Sequence, residues 1–434
     1  MFGYYFALAL RSLKRNKILT ALMVVAIALG IGAAMTTLTV LHVLSGDPLP
    51  GRSAQIYAPQ IDPQELRGHH AGKEPPDQVG WIDGMNLLHA KRADRQALMY
   101  GGSVQVDPVQ SNLEPFFESA RFTSSDFFAM FGVRFEYGHA WAATDDEAHA
   151  HVAVISRKLN DKLFAGKDST GKTLHLGEHD LRIVGVIDDW RPNPHFYDLY
   201  TGSYGQYEGV FLPLTSAMDL ELSREGSMDC WGKGAPSPDK LKTATCTWLQ
   251  FWVQLDTPAK AAAYKQFLVH YSQQQKSMGR FERPPNVRLR NLSAWLDYHK
   301  VVPGDVRLQT WLAFGFLLVC LVNTVGLLLA KFLRRSAELG VRRALGASRL
   351  EVFSQLLIEA GVVGLVGGAG GLLLALLGLW LVRQQPADYA ALAHLDLRML
   401  AVTIALSVGA TLLAGALPAW RACQITPALQ LKSN

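Results

Sequence analysis

Long apolar runs dominate the two ends of the chain. No charged residue occurs from 18 to 44, and three further apolar runs cover residues 311–330, 360–382 and 399–420. A helix rises about 1.5 Å per residue and the bilayer core is about 30 Å thick, so each run is long enough to cross a membrane. Four membrane-spanning helices are therefore predicted, over residues 18–44, 307–333, 351–383 and 398–420.

The first apolar run also has the general form of a secretory signal peptide, because several cations precede it. The hydrophobic part of a signal peptide is about 7–15 residues long, and the run over 18–44 is much longer. Residues 45–48 also form a poor cleavage site. We expect an uncleaved anchor, preceded over residues 1–17 either by an amphipathic elbow helix on the cytoplasmic surface or by a basic start without helical order.

The cations in the short loops predict the orientation in the membrane. Residues 1–17 carry four cations and no acidic residue, and residues 331–351 carry six cations and two acidic residues. Cytoplasmic loops are enriched in Lys and Arg, so these segments and the tail over 421–434 are expected in the cytoplasm. The residues between spans 1 and 2, over 45–306, and a short loop over 384–397 are then expected outside.

The segment over 45–306 has mixed charges, and Gly and Pro residues separate its patterned stretches, as is typical of a folded domain. Its less regular part, near 190–247, predicts an insert. Strand-like patterns and helical patterns both occur, so the fold class is a membrane α-helical protein with a large α+β extracytoplasmic domain between helices 1 and 2. Strands are predicted over 151–156, 173–176, 181–187 and 247–255, and helices over 157–165 and 257–276.

Composition and charge support this division. The 434 residues are 49% hydrophobic and 18% charged, with a net charge of +5. Residues 46–306 hold 27 basic and 32 acidic residues, so the excess of cations lies in the apolar flanks. These cations interrupt membrane spans and form no separate basic arm, which argues against nucleic-acid binding.

One segment has the P-loop pattern of nucleotide-binding proteins. Residues 166–173 read GKDSTGKT, but a P-loop follows a strand and precedes a helix, whereas the patterns here predict the opposite order. We interpret the segment as a glycine-rich turn; nucleotide binding by the domain is the alternative. The histidines occur in short pairs without Cys or carboxylates at ligand spacing, so no metal site is predicted. Because no catalytic arrangement of side chains is evident, we expect that the chain is not an enzyme.

Two of the four cysteines lie in the segment expected outside the cell. Cys230 and Cys246 flank a loop rich in Gly, Pro and Lys, whereas Cys320 lies in a span and Cys423 lies in the cytoplasmic tail. Because extracytoplasmic compartments are oxidising, a Cys230–Cys246 disulfide is predicted.

The loop over 334–350 contains its own helix signals. Residues 336–345 predict a short amphipathic helix that Gly346 ends, and Ser348 with Glu351 forms a capping box that starts the third span. A rigid helix continuous with two spans is suited to transmitting force from a cytoplasmic partner. A plain basic turn held by anionic lipid is the alternative.

This loop carries a resemblance to a known family. The sequence RSAELGVRRALGAS over 335–348, followed by Gln355 and Glu359, resembles the FtsX/MacB-type permeases, the type VII ABC transporter subunits. LRSLKRNK over 10–17 and PAWR over 418–421 are similar to the same family. The segments TSSDFF over 123–128, IVGV over 183–186 and FLP over 211–213 resemble its MacB-like periplasmic core domain.

The resemblance implies a permease of the bacterial inner membrane that works in an ATP-driven export, efflux or extraction system. It implies a homodimer or a heterodimer with a related permease, and mechanotransmission from an ATPase to the extracytoplasmic domain. The ATPase is expected as a separate chain that binds ATP and Mg, and no cofactor is expected in this chain. A periplasmic adaptor, an outer-membrane channel and membrane lipid are further expected partners. The alternative is an FtsX-like signalling or scaffold subunit that regulates a cell-envelope hydrolase.

The same resemblance implies where the ATPase docks. Arg342 and Arg343 are expected to meet an acidic groove on that partner. The docking residues implied by the family pattern are Glu338, Leu339, Gly340, Arg342, Arg343, Ala344, Leu345, Gly346, Ala347 and Ser348.

Small and polar residues within the spans predict helix contacts. Gly364 with Gly368, and Gly367 with Gly371, have the small-xxx-small spacing of closely packed helices, either within the subunit or between subunits. Asn323 and Glu359 are expected to form hydrogen bonds within the bundle.

Overall fold

The computed structural model describes the chain except for residues 1–4, 6–7, 10, 13–16, 68–69, 71, 109–112, 205–206, 232–236, 238–239, 386–388, 396 and 425–434. Two compact units are present. A membrane unit comprises Met1–Ser45 and Val302–Asn434, and an inserted domain comprises Gly46–Val301. The predicted elbow helix over 1–17 and the predicted tail over 421–434 lie largely outside the described residues.

The elements are numbered in chain order, with α1 and α9–α12 in the membrane unit. They are α1 (Lys17–Leu44), β1 (Ile56–Gln60), α2 (Trp81–Ala90), β2 (Arg95–Val106), β3 (Phe116–Thr123), α3 (Asp126–Phe131), β4 (Phe135–Gly138), α4 (Ala143–Glu147), β5 (Val152–Ser156), α5 (Arg157–Phe164), β6 (Thr173–Leu176), β7 (His179–Ile187), β8 (Val210–Pro213), α6 (Leu214–Asp219), β9 (Arg224–Glu225), β10 (Asp229–Cys230), β11 (Cys246–Thr247), β12 (Gln250–Gln254), α7 (Pro258–Ser277), β13 (Arg288–Asn291), α8 (Leu292–Tyr298), α9 (Gly304–Arg334), α10 (Ser336–Ala344), α11 (Arg349–Arg383) and α12 (Leu397–Cys423).

Four helices among the described residues are long and apolar enough to cross a membrane: α1, α9, α11 and α12. Glycines of α11 lie against two neighbours within the subunit. A Cβ at Gly364 would lie 1.9 Å from Thr411 Oγ1 on α12, and a Cβ at Gly371 would lie 2.8 Å from Ile31 on α1. Ser407 Oγ also donates a 2.7 Å hydrogen bond to the carbonyl of Gly364. These glycines therefore serve contacts inside the subunit, one of the two alternatives left open by the sequence.

A mixed sheet organises the inserted domain. Its strands follow the order β13-β1-β12-β2-β3-β8-β5-β7-β4, with β6 and β9 attached beside this path. The β3/β8 and β5/β7 pairs are parallel, and the other pairs are antiparallel. The sheet is mainly antiparallel and helices pack on its faces, so the domain is α+β, as the sequence predicts.

The central strands are buried on both faces. In β2, Leu98 and Tyr100 belong to one hydrophobic cluster, whereas Ala97 and Met99 belong to the other. Successive side chains of a strand point to opposite faces, so alternate residues enter different cores. Helices α2 and α7 pack on the first face, and α3 and α8 pack on the second.

Several local predictions for the inserted domain are confirmed. Ser156 ends β5 and caps α5, because its side chain accepts a 3.2 Å hydrogen bond from the backbone N–H of Leu159. Thr257 caps α7 in the same way, through the backbone N–H of Lys260 at 3.2 Å. Strands β6 and β7 form the predicted hairpin. Each of these features depends on residues that are close together in the sequence.

The segment near 190–247, predicted as a less regular insert of the domain, contributes a strand to the main sheet. Strand β8 lies inside this segment and pairs with β3 on one side and β5 on the other, so it is an interior strand of the main sheet. Helix α6 follows β8 directly, and its Leu214 and Ala217 enter the first core. Strand β8 has only four residues, which is too short to show a period between two irregular flanks.

A buried charge network joins Tyr197, Asp198 and Glu208 to β3. The guanidinium of Arg121 lies 2.9 Å from Asp198 Oδ2 and 2.6 Å from Glu208 Oε1, with all three side chains at most 5% exposed. Tyr197 donates a 2.8 Å hydrogen bond to the other oxygen of Glu208. Burial alone would raise the pKa of Glu208, but Arg121 and His195 lower it well below the usual range. The stability that this ionised carboxylate contributes is therefore present above the usual glutamate pKa and is lost as pH falls below it.

We expect Arg121→Met to destabilise the inserted domain by about 3–5 kcal/mol, because two buried carboxylates would lose their cation. The free energy of unfolding is measured by denaturant titration of the full chain, with tryptophan fluorescence as the signal. Arg157→Met is the matched control, because Arg157 makes ion pairs that are about half exposed, and its loss is expected to cost about 0–1 kcal/mol. Equal costs for the two variants would contradict this account of the network.

Cys230 and Cys246 form a disulfide in the structure. They lie opposite each other where β10 pairs with β11. Cys246 is buried in the first core, and Cys230 packs against it. The disulfide thus closes the loop between β10 and β11 at the edge of a hydrophobic cluster.

Replacing both Cys230 and Cys246 with Ser should lower the free energy of unfolding by about 3 kcal/mol, because a closed loop of this length restricts the unfolded chain. Denaturant titration measures the change, and mass spectrometry of non-reduced peptides from the native compartment should find the two cysteines linked. Free thiols at both positions would show that the bond does not form in the cell.

Candidate functional site

The candidate site is the short helix α10 together with the segment that joins it to α11. Gly346 has a φ of 100°, a conformation that side chains rarely adopt, and it ends the helical path after α10. Ser348 then accepts a 3.2 Å hydrogen bond from the backbone N–H of Glu351, whose carboxylate accepts a 2.8 Å bond from the N–H of Ser348. The predicted helix, its glycine stop and the capping box of the third span are therefore confirmed.

A buried carboxylate fixes this segment to the membrane helices. Glu359, in α11, lies 2.7 Å from Lys331 Nζ of α9 and 2.9 Å from the guanidinium of Arg335. Ser12 donates a hydrogen bond to Glu359 and accepts a 3.0 Å bond from Arg335. Glu359 and Lys331 are almost completely buried. The network thus connects the N-terminal segment, α9, the start of α10 and α11, and the expected hydrogen bonding of Glu359 is confirmed.

One side of α10 is held by contacts within the chain. Arg335 also contacts Glu338 on the first turn of α10. Arg342 donates a 2.9 Å hydrogen bond to Gln355 of α11, and Arg343 donates a 3.1 Å bond to the carbonyl of Cys423 at the end of α12. Because both arginines already bond inside the chain, they anchor the helix in this structure.

The other side of α10 and the segment that joins it to α11 expose apolar side chains. Val341 in α10 is 57% exposed, Leu345 just after α10 is 84% exposed, and Leu350 in the first turn of α11 is 73% exposed. Of the ten residues implied by the family pattern, Leu339 is buried, and Ala344, Leu345, Gly346 and Ser348 are exposed. The partly buried ones are Glu338, Gly340, Arg342, Arg343 and Ala347.

Sequence reasoning missed part of this arrangement. Val341 and Leu350 are exposed apolar residues of this region, but they are not among the predicted docking residues. The signal was available, because both are apolar residues placed between cations in a loop. In the sequence Lys331 is one of the loop cations, and nothing in the linear pattern shows that it pairs with Glu359 of another helix.

The expectation that Asn323 bonds within the bundle is wrong. Its side chain is exposed on α9, and within the described part of the chain it makes no hydrogen bond. A polar amide in the apolar part of a bilayer is costly unless it finds a partner. Asn323 therefore marks a face of α9 that differs from an ordinary lipid-facing surface.

The P-loop pattern over 166–173 lies between helix α5 and strand β6, which is the reverse of the P-loop order. The backbone N–H of Gly171 is already bonded to the carbonyl of Ile183 at 2.7 Å, and Lys172 lies 4.8 Å from the ring centroid of Phe164. This segment is a turn packed on its own domain. Among the described residues there is also no group of three or more His, Cys, Asp or Glu side chains placed to hold a metal ion.

Comparison with known proteins gives two family matches. The model of the MacB-like periplasmic core domain matches residues 20–269, and the model of the FtsX-like permease C-terminal region matches residues 311–427. The helices and the inserted α+β domain thus define a membrane permease with a large extracytoplasmic domain. This chain belongs to the FtsX/MacB-type permeases, whose class is the permease subunit of ABC transporters, and it is a multi-pass inner-membrane protein.

Individual relatives are distant. The macrolide export ATP-binding/permease protein MacB 2 of Aeromonas hydrophila is 23% identical over 57% of this chain and 33% of that protein. The macrolide export protein MacB of Marinobacter nauticus is 23% identical over 68% of this chain and 40% of that protein. This chain therefore spans about a third to two-fifths of the length of these relatives. The match to the crystal structure of the periplasmic region of MacB from Actinobacillus actinomycetemcomitans covers 59% of this chain and 97% of that chain, with 13% identity and a TM-score of 0.37.

We expect Glu359→Gln to lower the melting temperature of the membrane unit, because Lys331 would keep a buried charge without its anion, at a cost of about 3–5 kcal/mol. A maleimide dye that fluoresces on reaction with the buried free thiols of Cys320 and Cys423 reports when the bundle opens.

The control is the double variant Lys331→Met/Glu359→Leu, which removes both charges and should recover most of the lost stability. If Glu359→Gln melts like the parent chain, the ion pair does not hold the bundle together.

Proposed function

We propose that this chain is the membrane half of an ATP-driven export, efflux or extraction machine. An ATPase subunit binds to the exposed side of α10, and ATP and Mg²⁺ bind to that subunit. The two termini and α10 face the cytoplasm, because the cations of the short loops concentrate there. The inserted domain acts outside the membrane on the molecule that the machine exports or extracts.

The observation that carries this proposal is the exposed apolar side of α10 on a rigidly held helix. Leaving Val341, Leu345 and Leu350 in water is unfavourable, and exposed apolar side chains within one short segment suit a protein interface. Their exposure contrasts with Leu339 on the opposite side, which is 3% exposed. An ATPase that covers this surface would bury the apolar groups without breaking the bonds of Arg342 and Arg343.

The buried network supports transmission of movement by this helix. Arg335 contacts both Glu338 of α10 and Glu359 of α11, and Lys331 ties α9 to the same carboxylate. A displacement of α10 would therefore move the adjoining ends of α9 and α11 together. The chain continues from α9 into the inserted domain at Val301, and this direct connection gives the movement a path across the membrane.

We also propose that two permease subunits pair in the membrane, as two copies of this chain or as this chain with a related one. The exposed amide of Asn323 on α9 supports this, because a second subunit can supply the hydrogen-bond partner that lipid cannot. Asn323 carries both a donor and an acceptor, so two symmetry-related copies of it are mutually complementary.

We expect Leu345→Asp to abolish co-purification of the ATPase and to remove permease-dependent stimulation of ATP hydrolysis, because a charged group would be placed in an apolar interface. The variant should keep normal membrane insertion and thermal stability, because Leu345 is 84% exposed. The matched control is Leu66→Asp, which makes the same change at an exposed leucine of the inserted domain.

Docking on a lipid surface predicts a different outcome. In that case the ATPase would remain bound to Leu345→Asp, and the defect would vary with the anionic lipid content of the vesicles. Full ATPase binding and full transport by Leu345→Asp would refute the docking surface.

A further inference from the structure

The inserted domain ends at Val301, and both backbone polar groups of this residue are bonded inside the domain. Its N–H donates a 3.1 Å hydrogen bond to the carbonyl of Leu296 in α8. Its carbonyl accepts a 3.1 Å hydrogen bond from the hydroxyl of Tyr204. Val301 is 8% exposed and Tyr204 is 5% exposed. A buried backbone carbonyl needs a donor, and here a side chain 97 positions earlier in the sequence supplies it. We call these two hydrogen bonds the exit contacts.

The backbone on both sides of Val301 is restricted. Lys300 has a φ of 50°, in the left-handed region that residues other than glycine rarely adopt. This residue turns the chain after α8, so that the N–H of Val301 reaches the carbonyl of Leu296 in the bond pattern of a Schellman motif. Two residues, Val302 and Pro303, then separate Val301 from α9. The proline ring fixes its own φ and restricts the residue before it, so the connection from α9 to the exit contacts is short and has little backbone freedom.

The segment over 198–204, which ends at the tyrosine of the exit contacts, is bonded to β3. Asp198 Oδ2 lies 2.9 Å from the guanidinium of Arg121, and both side chains are almost fully buried. Asp198 Oδ1 accepts hydrogen bonds from the backbone N–H groups of Tyr200 at 3.3 Å and Thr201 at 3.4 Å. The carboxylate that pairs with β3 therefore also fixes the backbone of the turn that follows it.

A second set of bonds joins the same segment to β1. The hydroxyl of Tyr200 donates a 2.6 Å hydrogen bond to Asp77. The other oxygen of Asp77 accepts a 2.7 Å hydrogen bond from the side-chain amide of Gln60 on β1. Strands β1 and β3 both belong to the main sheet, and β12 and β2 lie between them. The segment over 198–204 thus connects the exit contacts to two separate strands of the sheet.

We propose that the exit contacts pass movement of α9 to the sheet of the inserted domain, with Tyr204 as the positioning residue. This inference rests on the proposed function, because it requires the ATPase to move α9 through α10. A displacement at the start of α9 moves Val301 through the two-residue connection. Because Val301 is bonded to Tyr204, the segment over 198–204 moves with it and displaces β1 and β3 through the bonds described above. Without the Tyr204 hydroxyl, Val301 moves while the sheet stays in place.

The first experiment needs no ATPase and measures hydrogen–deuterium exchange of the full chain in phosphatidylcholine nanodiscs. Tyr204→Phe removes only the hydroxyl, so the amide of Val301 should exchange about tenfold faster than in the parent chain. Tyr298→Phe is the matched control on α8, because the hydroxyl of Tyr298 makes no hydrogen bond within the described residues. The control should leave the exchange of Val301 unchanged. Unchanged exchange in Tyr204→Phe would overturn the exit contacts.

The second experiment repeats the measurement on the complex with the ATPase, with and without Mg²⁺ and the ATP analogue adenylyl imidodiphosphate. In the parent complex and in Tyr298→Phe, the analogue should change the exchange rates of the Tyr200 and Thr201 amides by about threefold or more. In Tyr204→Phe this nucleotide-dependent change should be lost, whereas ATPase co-purification and the change in α10 remain. A hydroxyl that only stabilises the fold would shift exchange equally with and without nucleotide, and that result would overturn the proposal.

Two glycines inserted between Val302 and Pro303 separate failure of this inference from failure of the proposed function. The insertion keeps the exit contacts but adds a flexible length of chain before α9, so it should also remove the nucleotide-dependent change. A full change in Tyr204→Phe with a lost change in the insertion variant would overturn the role of Tyr204 and leave the proposed path intact. A full change in both variants, or no change in the parent complex, would refute the path through Val301 as well. ATPase co-purification is scored separately, so these results leave the docking proposal untouched.

Discussion

The membrane unit depends on one buried ion cluster. Glu359 is surrounded by Lys331, Arg335 and Ser12, and these residues come from segments that are far apart in the sequence. A charge buried at this depth is tolerated only when its partners stay in place. The cluster therefore restricts α9, α10 and α11 to one mutual arrangement, and that restriction makes the short helix α10 a stiff element with a defined exposed side.

The inserted domain also contains a buried ion cluster, which fixes a different part of the chain. Arg121 on β3 binds Asp198 and Glu208, and these contacts hold the two carboxylates, which lie between β7 and β8 in the sequence, against the sheet. In both units a few buried charges fix elements that apolar packing alone would leave free to shift.

Local features were predictable from the sequence because their physical causes are local. Ser156, Thr257 and Ser348 predict helix starts because their side chains cap the first turn. The uncharged run over 18–44 predicts a membrane span because of its length. Long-range features were not predictable. The pairing of β8 with β3 and β5, the bonds of Arg342 and Arg343 to α11 and α12, and the exposure of Asn323 all depend on which elements meet in three dimensions. The linear sequence shows that Arg342 is charged, but not that its side chain bonds to Gln355 of α11.

The most direct test of this account is an electron cryomicroscopy comparison of the full chain bound to its ATPase, with and without nucleotide. The quantities to measure are the distances from Glu359 to Lys331 and to Arg335, now 2.7 Å and 2.9 Å. If α10 transmits force through the cluster, both distances should stay at hydrogen-bonding length in the two states while α10 and the adjoining ends of α9 and α11 move together. A nucleotide-dependent shift of α10 that separates Arg335 from Glu359 and leaves α9 and α11 in place would contradict the account.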